Sequence, residues 1–250
     1  MNRFETTKAR LAAVVFACLA PTVVTWIYFD ALAESPLQAG AYAIGKAIQF
    51  AFPLVFVLLL MRRRPSEAGI PKHDPQPHDW SQATSVVFGI AMGLAVAAAM
   101  FAIYRFFFSE AVVSNLYHEI KIRTDGFRVR TPLAFMGLGL FYSLFHSFME
   151  EYYFRWFVFG QLRHITRCIP AVVISGLAFM AHHVIVLYHY FGPSLLTALL
   201  SLAIASGGFI WAWQYEKSQS LLGAWISHLM VDAGIFAIGY HILFSGVTTG

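Results

Sequence analysis

Seven runs of roughly twenty mostly apolar residues dominate this chain, at about 11–33, 39–61, 83–108, 132–160, 169–189, 194–213 and 220–243. A run of that length spans the hydrocarbon core of a bilayer as a helix, because only a helix satisfies its own backbone groups there. Composition agrees: 58% of the 250 residues are hydrophobic and 12% charged, against about a quarter charged in a soluble domain. The sequence therefore predicts an all-α, polytopic transmembrane helical bundle of about seven or eight spans. An eighth span or a re-entrant piece would fall around 109–130. The length suits a single membrane domain, 1–250, with no large soluble appendage.

The formal charge of +4 is not a nucleic-acid signature, since the basic residues cluster between apolar runs and orient them. With the N-terminus inside, the inner segments hold eleven: Arg3, Lys8, Arg10, Arg62, Arg63, Arg64, Lys72, Arg155, Arg163, Arg167 and Lys217. The outer side holds five, Arg105, Lys121, Arg123, Arg128 and Arg130, and Lys46 lies within a span. This predicts an integral membrane protein with a cytoplasmic N-terminus, and the compact, loop-poor chain is read as one of a bacterial inner membrane. The first segment has a charged start and an Ala31-Leu32-Ala33 end, but its apolar core is too long for a cleaved signal, so it is read as retained. The connection 62–80, with Pro65, Pro71, Pro75 and Pro77, is read as irregular. Cys18 and Cys168 make neither a disulfide framework nor a zinc spacing and are read as packing residues.

Ionisable residues inside spans are costly and mark function. Here they gather in the second half: His146, Glu150, Glu151 and Arg155 in the fourth run, His182 and His183 in the fifth, His228 and Asp232 in the seventh. Residues four apart share a helix face, which pairs His146 with Glu150, Glu151 with Arg155, and His228 with Asp232. Arg155 then neutralises Glu151 and leaves Glu150, one step around the helix, to face something else. Glu150, His183 and His228 lie at comparable depths and are expected to share one pocket. His182 is turned away and read as packing, Phe179 as a cavity wall. His189 and His241 are read as interfacial, and Gly207-Gly208 as a place of close helix approach.

Glu150-Glu151-x-x-x-Arg155, Phe179-x-x-x-His183 and His228-x-x-x-Asp232 resemble, in order and spacing, the three motifs of the CPBP family. These are the CAAX-protease and bacteriocin-processing membrane proteins, also called Abi or type II CAAX prenyl endopeptidases. The likeness covers a core of about 135–240. It implies an intramembrane endopeptidase acting on a membrane-associated peptide or protein. The family has been described both as metalloproteases and as metal-independent glutamate proteases. In the second picture the first glutamate and the second-motif histidine activate water, while the third-motif histidine and the residue four later stabilise the oxyanion. That last position is often Asn. Asp232 departs from it, and an ionised Asp cannot donate a hydrogen bond. It is protonated, orients His228, or joins Glu150, His183 and His228 as ligands of a zinc ion. Glu151 is read either as catalytic beside Glu150 or as a purely structural ion pair with Arg155, His146 either as tuning Glu150 or as packing, and each histidine taken singly as a helix–helix hydrogen-bond residue. At the level of function the alternatives are a proton-coupled transporter or a non-catalytic immunity or assembly protein. The sequence does not name the substrate or the oligomeric state.

Overall fold

A computed structural model describes residues 7–65, 68–70 and 79–245. Arg3, Lys72, Pro71, Pro75 and Pro77, on which the readings of the N-terminus and the first connection drew, lie outside these residues. Among the described residues every regular element is helical, and seven helices are long and apolar enough to cross a membrane. In chain order they are α1 (Thr7–Ala31), α2 (Gln38–Leu60), α3 (Gln82–Phe107), α5 (Pro132–Arg163), α6 (Cys168–Phe191), α7 (Leu195–Ser218) and α8 (Leu222–Phe244). Between α3 and α5 lies α4 (Glu110–Gly126). It carries Glu119, Lys121, Arg123 and Asp125 on its own surface as i,i+4 ion pairs, so it is too polar to be an eighth span. Large apolar side chains such as Leu19, Val87, Leu133, Ile169 and Leu195 are more than half exposed, as hydrocarbon-facing positions must be.

The helix starts are written locally. Ser81, Ser109, Thr131 and Ser194 each accept a hydrogen bond from a backbone N–H three residues on, which satisfies one of the amides a helix start leaves bare. Pro132, at the first position of α5, has no N–H to satisfy. At the other end of α6, Gly192 turns the chain at φ +65°. The N-terminal run thus begins earlier than its hydropathy suggests, at Thr7 rather than 11. The largest boundary error is at α7, which continues to Ser218 rather than 213. Glu216 and Lys217 read as the polar end of a span, yet both are helical and both have partners, Arg163 and Asp79.

The chain forms two compact units. One holds α1, α2, the part of α5 from Glu151 onward, α6 and α7. Here α6 lies along α7, with α1 also against α6. The close approach is set by Gly176 and Gly208: a Cβ on Gly208 would come 2.9 Å from the Gly176 Cα. Gly207 has no such neighbour on another helix, so only one residue of the expected pair makes the approach. The described residues of the connection after α2 dock on α5. Pro65 O accepts from Trp156 Nε1 at 3.2 Å and Ala68 O from Gln161 Nε2 at 2.8 Å, while His164 Nε2 lies 3.0 Å from Gly69 O. The second unit holds α3, α4, the part of α5 up to Glu150, and α8. Its main contact is α3 along α8, where Gly89 and Gly93 admit Gly223 and Met230. A Cβ on Gly89 would stand 2.1 Å from the Gly223 carbonyl oxygen. His241 is anchored there, its Nδ1 2.7 Å from the Tyr104 hydroxyl.

Helix α5 is not uniform. Turns of π-helix run over Tyr142–His146 and Tyr152–Phe159, and the α-helical stretch Ser147–Glu151 lies between them. Such widened turns are rare and favour functional positions. The two consecutive glutamates sit in the narrow segment that they bracket.

Candidate active site

In the second unit, Glu150 is buried, at 2% exposure. Its Oε1 lies 3.8 Å from His146 Nε2, and its Oε2 lies 3.7 Å from His228 Nε2. The same His228 nitrogen is 3.7 Å from Asp232 Oδ1. The i,i+4 pairings expected for His146–Glu150 and His228–Asp232 are both present. They are joined by a contact the sequence could not state, an imidazole from α8 placed between two carboxylates. Such a group has a base and a neighbouring donor in a water-poor setting.

In the first unit, Glu151 and Arg155 form the expected ion pair, at 3.1 Å with both side chains fully buried. A buried guanidinium needs more than one carboxylate to offset its desolvation. Here aromatic faces add to it: the Arg155 Cζ lies 4.7 Å from the Phe179 ring centroid and 5.1 Å from that of Trp211. Phe179 is thus a support for Arg155 as well as a wall. Its carbonyl has a second task, since His183 Nδ1 lies 2.8 Å from Phe179 O. A carbonyl can only accept, so Nδ1 carries the hydrogen and the neutral ring holds its lone pair on Nε2, the nitrogen a base uses. That gives the Phe-x-x-x-His spacing a physical reason. His182 is buried and stacked on Phe154 at an interplanar angle of 6°, which fits packing. Its ring centroid is nevertheless only 4.0 Å from that of His183, closer than a step of 100° suggested.

Three features escaped the sequence reading. Trp211 lies on the buried face of α7 that Thr197, Ser201, Ala205, Gly208 and Ala212 also form; that period was the available signal. Trp225 donates its indole N–H to Leu144 O at 3.0 Å, and nothing in the sequence announces it. Arg163, counted as an inner-surface charge, is buried in a two-oxygen pair with Glu216, at 2.9 and 3.0 Å. Arg155 is likewise internal. Setting these two aside, the charge count behind the expected orientation becomes nine against five. His189 is tied to α1, its Nε2 3.2 Å from Asp30 Oδ1.

A helical integral membrane protein that buries a carboxylate beside imidazoles belongs to the class equipped for acid–base chemistry within its spans. Residues 132–234 match the family model described as type II CAAX prenyl endopeptidase Rce1-like. All three motifs fall inside the matched stretch. No curated protein and no solved structure matches the chain.

Proposed function

We propose that the chain is an intramembrane endopeptidase, hydrolysing a peptide bond of a membrane-associated peptide or protein with Glu150 as the general base. Glu150 takes a proton from a water molecule as the water oxygen adds to the scissile carbonyl carbon. The negative charge that develops on the carbonyl oxygen is met by the N–H of His228. When the C–N bond breaks, the proton returns to the leaving amine, and His183 serves as the second group that holds and passes it. Asp232, whose Oδ1 lies 3.7 Å from the same His228 nitrogen, orients the ring. Glu151 and Arg155 hold the helix register on which Glu150 stands. The observation that carries this reading is the buried Glu150 carboxylate with His228 Nε2 at 3.7 Å, inside the stretch that matches the endopeptidase family.

Glu150, His228 and Asp232 are also donors of the kinds zinc accepts, with both carboxylates 3.7 Å from the imidazole nitrogen. These three would hold a zinc ion, whose contribution when bound would be to polarise the scissile carbonyl.

The test is mass spectrometry of membrane peptides from cells with the intact protein, Glu150→Ala or His183→Ala, repeated with a chelator. Peptides whose ends appear only with the intact protein are expected, and their loss under the chelator would assign the metal. The same peptides in all three strains would overturn the proposal.

A further inference from the structure

His146 stands one turn before Glu150 in a part of α5 that is held in an unusual shape. The turn Tyr142–His146 is π-helical, and π-turns persist only where neighbours fix them. Two side chains of α8 do so. Trp225 donates to the carbonyl of Leu144, in the middle of the turn, at 3.0 Å, and its ring meets Phe148 edge-on with centroids 5.7 Å apart. Phe236 packs against Tyr142 with centroids 5.5 Å apart. The Tyr142 ring in turn lies against the His146 imidazole, centroids 4.8 Å apart. The His146 ring is therefore seated from behind. Its Nε2 faces Glu150 Oε1 at 3.8 Å, and the other carboxylate oxygen, Oε2, faces His228.

We infer that His146 is a positioning residue: it holds one oxygen of the Glu150 carboxylate so that the other is presented for proton abstraction. This role presupposes that Glu150 is the base. A packing residue at this position would need only an apolar ring. A positioning residue needs a polar nitrogen aimed at Oε1, and that difference is testable.

The experiment compares His146→Phe, which keeps the ring volume, with His146→Gln, which keeps a nitrogen. Both are purified in detergent and checked for folding by thermal unfolding. The activity probe is a quenched-fluorescent peptide ending in a prenylated CAAX sequence, the substrate type in the family's description. His146→Phe is expected to lower kcat about 10- to 100-fold, the usual effect of losing a supporting partner, with KM within about twofold. His146→Gln is expected to recover most of kcat. Independently of turnover, the Glu150 carboxylate stretch, isolated as the infrared difference between intact protein and Glu150→Gln, should shift in His146→Phe and return in His146→Gln.

A folded His146→Phe with unchanged kcat and an unchanged band would overturn the inference. So would equal losses in both variants. If the intact protein cleaves no peptide, the endopeptidase reading loses support, while the infrared band still decides whether His146 holds Glu150.

Discussion

Arg155 and Glu151 show how much a single residue pair can carry. Both side chains are fully buried, and the guanidinium is also enclosed by Phe179 and Trp211. Removing one partner leaves an uncompensated charge away from water. Arg155→Met is expected to destabilise the protein by about 3–5 kcal/mol. The double variant Glu151→Leu with Arg155→Met, which removes both charges, should recover most of that loss, as seen in thermal unfolding in detergent. At this scale the sequence was largely legible. Positions 146, 150, 151, 155, 183, 228 and 232 stood out because ionisable groups in an apolar run are rare, and i,i+4 spacing paired three sets of them. What it missed were residues whose role lies in contacts across helices. Trp211 and Trp225 are ordinary members of apolar runs until the partner helix is in place.

At the scale of elements, the end of α5 packs with the described residues of the connection after α2. The connection lies against Trp156, Gln161 and His164, and Gly160 permits the approach, since a Cβ there would lie 3.1 Å from the Gly69 Cα. His164 sits just past the end of the span. Burial pushes its pKa down from 6.5 to about 4, with Arg10, Arg163 and Arg63 adding repulsion against the Gly69 hydrogen bond. The folded protein thus refuses a proton that the unfolded chain accepts at pH 6.5 to 4. Stability from this group is complete above about pH 6.5 and is lost as the pH falls toward 4. Thermal unfolding across this window should show a steeper fall for the intact protein than for His164→Gln. An identical slope in the two proteins would count against the docked histidine. The π-turns belong to this scale too. The apolar run over 132–160 foresaw the helix but not its widened turns, because those depend on neighbours such as Trp225 and Phe236.

For the whole molecule, the testable quantity is orientation. Nine basic residues on one side and five on the other, once the internal Arg155 and Arg163 are set aside, favour a cytoplasmic N-terminus. Seven spans then put the C-terminus outside. A periplasm-active reporter fused at the C-terminus is expected to be active, and one fused in the α2–α3 connection inactive. The reverse pattern would refute the assignment.

The sequence by itself determined that this is a helical membrane protein of about seven or eight spans, where most of them run, and which ionisable residues stand where lipid forbids them. It could do so because hydrocarbon leaves a chain almost no alternative to apolar helices, and because helical spacing is local. Only the tertiary structure decided that His228 lies between Glu150 and Asp232, that Phe179 supports Arg155 while its carbonyl orients His183, and that Glu216 buries Arg163. Most of those relations join residues far apart in the chain, and their distances are set by how side chains and glycines let helices approach, which no local period records.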